Sequence, residues 1–575
     1  GDFDGSQMTF PKLFQNSGYE TAVIGKWHLG TSPTGFDYSK VMINWGGQGT
    51  YFNPVFLENG RDTIIERKRH STAQVAHDAL KWLGEGRDKQ KPFMLMYQFK
   101  APHRPWEPAN EFKDLFTDGD LPHPKNFNDD YNGRKAASEQ WMEIENHMNR
   151  RDLKVRPPSG LSKQELGKYY SFGNKGQFWT PSDTLKGADL KNWKYQAYIK
   201  DYLRCVAGVD KAVGKMLDYL KSNDLLDNTI IIYTSDQGFY LGEHGWFDKR
   251  WMYEESFKMP FMIRYPELIK PKSVNSDLLL NIDFAPTLLD LAGIDIPKDM
   301  QGTSFVPQLE SNNKSAVRDA VYYHYYEFPK WHNVQPHYGV RTSRYKLIHY
   351  YYNMDEWELF DLENDPQEMT NIYAAESSKE IIEKMKKELQ QMQEEYHDTP
   401  DNFLPNLNRV SKKHLALNAT YEFVQEPHKR YENNALTNLT DGQHWQYSKY
   451  TSLPFDTWIG FNENDGEMIL DLGKKMPIQN LGINCYQNPD SWIYFPEGIE
   501  FSFSDDKNNF ENTSTIDLPI SQKTPIEGIS FFDKKIENAN ARFVKIMVKR
   551  KDKIPTGMPG EGKNAWLFID EIIVE

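Results

Sequence analysis

Length, charge and cysteine content exclude several classes of protein. At 575 residues the chain is longer than one hydrophobic core usually supports, so two or three domains are expected. The 82 acidic and 68 basic residues give a net charge of -14, which disfavours nonspecific nucleic-acid binding but permits a local basic pocket for an anionic ligand. Cys205 and Cys485 are the only cysteines, so no disulfide framework or cysteine-based metal site is implied. No apolar run approaches the roughly 20 residues of a membrane span.

The N-terminal half alternates between helical and strand patterns. Helices are predicted over residues 8–18, 71–83, 195–220 and 283–293, where apolar residues recur at helical spacing. Short apolar strands are predicted over residues 21–24, 92–99, 229–234 and 259–266. This alternation is typical of an α/β domain with a mostly parallel sheet. The polar stretch between residues 107 and 185 is predicted to contain loops, with Asp129 and Asp130 as a solvated pair.

Three of the predicted strands end in polar side chains. Lys26 and His28 follow the first of them, His103 follows the strand at 92–99, and Asp236 with Gln237 follows the strand at 229–234. Because the carboxyl ends of parallel strands meet at one edge of a sheet, we expect these groups to share a site. Taken singly, the Asp-Gln-Gly segment is better explained as a turn, and the Lys26 and His28 pair is equally consistent with surface roles.

The ligand types at the third cluster favour a hard cation. Asp236 offers a carboxylate oxygen and Gln237 an amide oxygen, the donors that Ca²⁺ and Mg²⁺ prefer. Lys249 follows in the same segment and provides a cation suited to an oxyanion.

The chain changes character from residue 321 onwards. Strands over residues 321–327, 338–342, 345–352 and 357–361 and a charged helix over 378–395 predict a small antiparallel sheet covered by one helix. Residues 398–426, with two prolines, are predicted to be a linker. Residues 427–575 have short strand patterns and almost no helical periodicity, which predicts an all-β module.

Several motifs taken together resemble the formylglycine-dependent sulfatases, essentially over residues 8–400. In chain order they are Gly25-Lys-Trp-His-Leu-Gly30, Ala101-Pro-His103, Thr234-Ser-Asp-Gln-Gly238, Leu241-Gly-Glu-His-Gly245 with Lys249, and Arg344-Tyr-Lys-Leu-Ile348 with Glu358-Leu-Phe-Asp-Leu362. The resemblance implies an alkaline-phosphatase-like doubly wound α/β sheet over residues 1–317 and a small antiparallel α+β subdomain over 318–397. The linker at 398–426 and an all-β jelly roll at 427–575 complete the expected organisation.

The resemblance also implies a role for each matched residue. Lys26 and His28 match the residues that contact formylglycine and sulfate, His103 matches the histidine beside the leaving group, and Lys249 matches the second sulfate lysine. A cation and lysines would neutralise the non-bridging oxygens of a sulfate ester. In the family, hydrated formylglycine attacks sulfur, the alcohol leaves, and the covalent sulfate is expelled as the aldehyde reforms.

The chain departs from the family pattern at the nucleophile. The Cys/Ser-x-Pro-Ser-Arg motif and an upstream pair of aspartates are absent from it. Asp236 and Gln237 match only the second pair of calcium ligands, Ca²⁺ being expected in preference to Mg²⁺. We therefore expect an N-terminally truncated chain, inactive alone, whose complete form is a sulfatase with formylglycine derived from a Cys or Ser outside this chain. The alternatives are a catalytically inactive glycan-binding homologue and a phosphoester hydrolase of the same superfamily.

The finer resemblance is to bacterial N-acetylglucosamine-6-sulfatases, through the loop at 127–134 and the stretch at 324–341. It implies an exported enzyme, periplasmic, cell-surface or secreted, that acts on sulfated carbohydrate in glycosaminoglycan or mucin. The candidate substrate-side residues, each equally consistent with a structural role, are Arg104, Trp106, His244, His337 and Arg341. No nucleic-acid partner is expected, and the pattern does not define an oligomeric state.

The C-terminal module has a resemblance of its own. Leu439-Thr-Asp-Gly442, Ile469-Leu-Asp-Leu-Gly473 and Phe501-Ser-Phe-Ser-Asp505 resemble segments of discoidin-like (F5/8 type C) jelly rolls, many of which bind carbohydrate. Trp445 and Trp458 have the chemistry to stack on sugars, but a place in the core of the module is the favoured prediction for both.

Overall fold

The computed structural model describes residues 3–44, 46–67, 69–148, 153, 185–310, 315–326, 334–351, 354–398, 408–411, 413–431, 438–446, 458–516, 518, 528–558 and 560–575. The chain divides into two compact units, Gly1–Tyr325 with His337–Gln390 and Tyr326–Pro336 with Gln391–Glu575. Among the helices in the described ranges, none is long and apolar enough to span a membrane.

A five-stranded mixed sheet organises the first unit. In the order β4-β3-β2-β1-β5, it contains β1 (Glu20–Lys26), β2 (Tyr38–Met42), β3 (Val55–Glu58), β4 (Asp62–Ile65) and β5 (Phe93–Gln98). β1 runs parallel to both β2 and β5, whereas β3 and β4 are added antiparallel. The interior of β1 is completely buried, as is typical of a central strand covered on both faces.

The predicted helices are present, together with three short helices, Lys135–Ser138, Glu254–Phe257 and Val306–Leu309, that were not predicted. They are α1 (Phe10–Asn16), α2 (Ser71–Lys81), α3 (Lys135–Ser138), α4 (Gly187–Ser222), α5 (Glu254–Phe257), α6 (Phe284–Leu291), α7 (Val306–Leu309) and α8 (Lys379–Glu395). Four of them, α1, α2, α6 and α8, match predicted helices closely, and α4 begins earlier than its apolar pattern indicates. α2 packs on the central sheet, where Val75 and Ala79 are fully buried in one cluster with Ile24 of β1.

The strand before Asp236 and the strand that pairs with it are arranged differently from the prediction. The apolar run at 229–234 predicts a buried strand of the mostly parallel sheet, and the run at 259–266 predicts the next strand. The structure instead pairs β6 (Ile231–Thr234) antiparallel with β9 (Phe261–Arg264) in a separate two-stranded sheet. Tyr233 is 36% exposed, so the prediction of a buried strand in a parallel sheet was wrong at 229–234. An apolar run does not specify which strand it will pair with.

The predicted antiparallel sheet is confirmed. β10 (Ala320–Tyr325), β11 (His337–Thr342), β12 (Tyr345–Tyr350) and β13 (Glu356–Asp361) pair in chain order, and α8 follows them. β7 (Tyr240–Leu241) and β8 (Phe247–Asp248) form a short separate hairpin.

A buried ion-pair network connects this sheet to α5. The Nζ atom of Lys346, which is 0% exposed, lies 2.8 Å from Glu254 Oε1 and 2.8 Å from Glu368 Oε1. Arg341 Nη2 lies 3.1 Å from Glu254 Oε2. The backbone N–H of Glu254 also donates to Glu368 Oε2 at 2.6 Å. Lys346 therefore pairs with both carboxylates, and the partly buried Glu254 has Arg341 as a second counter-charge.

The second unit consists mainly of β-strands. They are β14 (Asn408–Ser411), β15 (Thr420–Phe423), β16 (Gln443–Gln446), β17 (Ile459–Phe461), β18 (Gly466–Gln487), β19 (Gly498–Ser504), β20 (Glu511–Ile516), β21 (Gly528–Lys549) and β22 (Leu567–Val574). A seven-stranded sheet follows the path β17-β22-β18-β21-β19-β20, with β15 on β18. β15 lies in the segment predicted to be a linker, but its pairing with β18 makes it part of this sheet. Trp445 and Trp458 are fully buried in one cluster, as the core prediction expects.

Candidate functional site

The carboxyl ends of β1 and β5 bring the first two predicted clusters to the same edge of the sheet. Gly25 of β1 is paired with Gln98 of β5, so Lys26 and the segment after Gln98 leave the sheet side by side. Gly25 has φ +124°, and a Cβ atom there would lie 1.7 Å from the carbonyl oxygen of Gln98. Only glycine permits this close approach.

The loop between β2 and β3 closes over the same edge. Gly47, with φ +93°, places its backbone so that a Cβ atom would lie 1.9 Å from the carbonyl oxygen of Trp27. The Gln48 side chain then contacts His28, with Nε2 3.1 Å from Nδ1. The Nζ atom of Lys100, a residue only 4% exposed, donates to the carbonyl oxygen of Gln48 at 3.2 Å. This lysine therefore ties the loop to the end of β5.

Lys26 and Lys249 are close enough to influence each other's charge. Burial and then the charge of Lys249 lower the pKa of Lys26 to about 8, while Asp236 opposes the shift. Burial also lowers the pKa of Lys249, and Asp236 again opposes the shift. Because charge interactions weaken with distance, these shifts indicate that two cations and one carboxylate converge at this edge of the unit.

The positive charges of the same lysines act on the two predicted histidines. Burial first, and then the charges of Lys26, Lys249 and Lys100, lower the pKa of His28. Burial and the same three lysines lower the pKa of His103 to about 2, although the hydrogen bond to the Arg104 carbonyl opposes this shift. Both histidines are therefore neutral at pH 7 when no anion balances the lysines.

Hydrogen bonds assign different tautomers to these histidines. His103 Nδ1 lies 2.8 Å from the carbonyl oxygen of Arg104, which can only accept, so Nδ1 carries the proton and Nε2 is the free basic atom. His28 Nδ1 faces the amide nitrogen of Gln48, which can only donate, so Nε2 carries its proton. One imidazole can thus accept a proton at the site while the other donates a hydrogen bond.

Both neighbours of Lys249 have unusual backbone conformations. Asp248 has φ +78° and Arg250 has φ +94°, values that L-residues rarely adopt. Side-chain contacts hold them there: Asp248 Oδ2 accepts from Arg104 at 2.7 Å, and Asp248 Oδ1 accepts from Arg250 at 2.8 Å. Backbone strain of this kind concentrates at functional sites, where the surrounding contacts enforce it. Arg104, one of the predicted substrate residues, thereby lies beside Lys249.

The donor set after β6 fits part of a calcium site. Asp236 is exposed at the turn, and Gln237 Nε2 donates to Asp236 Oδ1 at 2.9 Å. A carboxylate oxygen and an amide oxygen are suitable calcium ligands, but calcium takes about six to eight oxygens. Within the described ranges, no group of three or more His, Cys, Asp or Glu residues is arranged to hold a metal. These two residues would therefore complete a shell whose other ligands come from elsewhere.

Four of the predicted substrate residues lie in the interior of the unit. Trp106 is 0% exposed and packs on Tyr198 with ring centroids 4.4 Å apart. His337 is also 0% exposed, among the rings of Trp251, Tyr323, Tyr325 and Tyr350. Arg341 binds Glu254 in the buried ion-pair network. Structural roles account for the placement of all three side chains.

The fourth of these residues, His244, forms a buried hydrogen bond with Asp129, and burial lowers the pKa of its imidazole. Its Nδ1 lies 2.6 Å from Asp129 Oδ2, and Asp129 Oδ1 lies 2.5 Å from Arg134 Nη2. The carboxylate of Asp129 is 0% exposed, so the prediction of a solvated Asp129 and Asp130 pair was wrong for Asp129. The partners of Asp129 are far away in the sequence or irregularly spaced, so a local sequence pattern does not reveal these contacts.

Two further residues, Gln48 and Lys100, contact this site, although no role was predicted for either of them. Lys100 follows the same strand as His103, so its position at a strand end is a sequence signal for it. Gln48 gave no signal, because its contact with His28 depends on the approach of Gly47 to the Trp27 carbonyl.

Replacing Lys100 with methionine is expected to raise the pKa values of both His28 and His103, because a nearby positive charge that disfavours the imidazolium forms is removed. NMR titration of the imidazole protons would measure the change directly. Lys89→Met serves as the control, since Lys89 is exposed and precedes the opposite end of β5. Unchanged histidine pKa values in Lys100→Met would contradict the arrangement.

Comparison with known proteins places this geometry in a family. A family model described as Sulfatase matches residues 2–294, and one described as N-sulphoglucosamine sulphohydrolase, C-terminal, matches residues 242–395. The chain is 46% identical over 424 residues to the N-acetylglucosamine-6-O-sulfatase of Bacteroides thetaiotaomicron, covering 69% of this chain and 75% of that protein. It is 28% identical over 434 residues to an arylsulfatase of Clostridium perfringens, covering 68% of this chain and 80% of that protein.

Solved structures give the same result. The chain superposes with a TM-score of 0.64 and 44% identity on a protein solved in complex with its substrate D-glucosamine-2-N,6-O-disulfate, covering 70% of this chain and 85% of that one. The first unit has the alkaline-phosphatase-like α/β fold with a mixed sheet. The family match extends over β1, β5, β6 and β8, and the converging lysines, histidines and carboxylate follow these strands. The chain belongs to the sulfatase family of sulfuric ester hydrolases.

Proposed function

We propose that the protein removes the 6-O-sulfate of N-acetylglucosamine in a sulfated glycan, either a glycosaminoglycan or mucin. The observation that carries this proposal is the convergence of Lys26, Lys249, His28 and His103 beside Asp236 at one edge of a sulfatase fold. The similarity to an N-acetylglucosamine-6-O-sulfatase at 46% identity supports the choice of sugar and position.

The lysines would bind the sulfate group. Lys26 and Lys249 repel each other in the free site, so an anionic sulfate ester that neutralises both is bound favourably. The same anion would raise the pKa of His103 by offsetting the lysine charges, and His103 Nε2 is the atom free to hold a proton. A protonated imidazole beside the leaving oxygen would donate that proton as the sugar alcohol departs. His28 would hold a sulfate oxygen through its Nε2 proton.

Two further groups, a calcium ion and a formylglycine, are part of this proposal. Asp236 and Gln237 would supply two oxygen ligands to Ca²⁺, which would neutralise further charge on the sulfate. A formylglycine formed from a Cys or Ser not present in this chain would supply the nucleophile for the covalent step. In the absence of that residue we expect binding of the sulfated sugar without turnover.

The remaining parts of the chain are assigned by the same proposal. Residues 1–317 and 318–397 would form the catalytic α/β region and its antiparallel subdomain, and the module at 427–575 would also include β15, which pairs with β18. We assign that module as a discoidin-like jelly roll with a carbohydrate ligand. An enzyme with these substrates would act outside the cytoplasm, in the periplasm, at the cell surface or as a secreted protein.

The test of this function is sulfate release by the native protein, expressed with any sequence that precedes Gly1 in its gene. N-acetylglucosamine-6-sulfate is expected to release inorganic sulfate, whereas the 3-O-sulfated isomer and N-acetylglucosamine-6-phosphate are not. Chelation of divalent cations is expected to lower kcat/KM by about 10²-fold or more, and calcium to restore it. Peptide mapping would detect the formylglycine. Binding of the 6-sulfate without release would favour the inactive glycan-binding homologue.

A further inference from the structure

An exposed tryptophan lies beside the candidate site. Trp141 is 59% exposed, whereas Trp246 and Trp251 nearby are almost completely buried. An exposed indole presents a large apolar face on which the apolar face of a sugar ring can stack.

The Trp141 ring is held in place by a second ring. It stacks on His147 with centroids 5.7 Å apart and an angle of 9° between the planes. The backbone N–H of Glu143 donates to His147 Nδ1 at 3.2 Å, and the backbone N–H of His147 donates to the Glu143 carbonyl at 2.9 Å. The first bond orients the imidazole and the second holds its backbone, so the stacked pair is pre-organised before any ligand arrives.

The backbone next to Trp141 is paired with the segment that leads to Lys249. Phe247 N–H donates to the Met142 carbonyl at 2.9 Å, and Glu143 forms an antiparallel bridge with Trp246. Paired backbones of this kind lie about 5 Å apart. Since Met142 directly follows Trp141, the exposed ring stands on the segment that borders Phe247.

Phe247 belongs to the edge of the candidate site. The Arg104 guanidinium lies 5.2 Å from the centre of the Phe247 ring, and the same guanidinium binds Asp248, which precedes Lys249. Trp141 therefore directly precedes a backbone segment that pairs with Trp246 and Phe247, three and two residues before Lys249 in the chain.

We infer that the Trp141 and His147 pair is a stacking platform for the sugar ring that neighbours the sulfated N-acetylglucosamine in the glycan chain. The apolar face of a pyranose would lie on the indole, while the sulfate of the adjoining sugar reaches Lys26 and Lys249. This inference rests on the proposed function, because it places the second sugar relative to a sulfate at that site. It predicts that the protein prefers oligosaccharides to the monosaccharide.

Calorimetric binding measurements test the platform without dependence on the covalent step. The probes are N-acetylglucosamine-6-sulfate and two disaccharides that extend it with a galactose or with a hexuronic acid. At least one disaccharide is expected to bind the unmodified protein roughly five- to tenfold more tightly than the monosaccharide. Trp141→Ala is expected to abolish that gain while leaving the monosaccharide affinity unchanged, and Trp141→Phe to retain most of it.

The outcomes separate the two proposals. An unaltered disaccharide preference in Trp141→Ala would overturn the platform and leave the proposed function standing, as would equal binding of all three sugars by the unmodified protein. Failure of the unmodified protein to bind any of the 6-sulfated sugars would overturn both proposals. The monosaccharide affinity of Trp141→Ala also reports whether the variant has folded, and a loss of this affinity that Trp141→Phe restores would assign the ring to the sulfate site instead.

Discussion

Replacing Lys249 with alanine is expected to lower kcat/KM for a 6-O-sulfated sugar by about 10²- to 10³-fold, the range that follows removal of one pre-organised group that stabilises developing negative charge. The lysine is largely buried beside Lys26 and Asp236, so water would replace its charge poorly. The measurement is steady-state sulfate release by the native protein.

Binding of a 6-O-sulfated sugar to the 575-residue chain gives an independent measure of the role of Lys249. Lys249→Ala is expected to weaken the affinity for N-acetylglucosamine-6-sulfate and to raise the pKa of Lys26, because the charge that lowers this pKa is gone. Lys298→Ala is the control, since Lys298 is an exposed lysine elsewhere in the same unit. If Lys249→Ala behaves like Lys298→Ala in both measurements, the residue is not a sulfate ligand.

The assembly of the site was predictable from the sequence because it depends on strand direction. Lys26 follows β1 and His103 follows β5, and parallel pairing of those strands brings their ends together. Polar residues after apolar runs are a local signal, so the sequence alone indicates them. The roles assigned to these residues remain predictions for the experiments above.

Residues whose environment depends on distant packing were not predictable in this way. His244 meets Asp129 and Arg341 meets Glu254 across long stretches of chain, and a histidine or arginine in a motif gives no local sign of such a partner. The antiparallel pairing of β6 with β9 has the same origin, since an apolar strand can pair in either direction. Local pattern therefore specified strand ends better than it specified the interior partners of charged side chains.

Replacing Lys346 with methionine is expected to lower the free energy of unfolding of the first unit by about 3–5 kcal/mol, because the buried Glu368 loses the lysine that pairs with it and Glu254 keeps only Arg341. Lys346 is 0% exposed and is the common partner of Glu254 and Glu368. Methionine fills much of the same volume, so the loss reports charge more than packing. Denaturant unfolding monitored by tryptophan fluorescence would measure it.

The pH dependence of this deficit distinguishes lost charge from lost packing. Burial raises the pKa of Glu254, but the charges of Lys346 and Arg341 outweigh burial and hold this pKa at about 2. In the unmodified protein, ionised Glu254 therefore contributes stability above its unfolded pKa, and this contribution is lost as pH falls towards 2. Without Lys346 the pKa values of Glu254 and Glu368 rise, and a raised carboxyl pKa means that stability is lost as pH increases. The deficit of Lys346→Met should therefore be larger at pH 8 than at pH 5.

Arg344→Ala, which breaks an exposed pair with Asp361 next to the same strand, should show a small deficit with no such trend. A Lys346→Met deficit that is equal at both pH values would mean that packing, and not the shared counter-charge, stabilises this part of the unit.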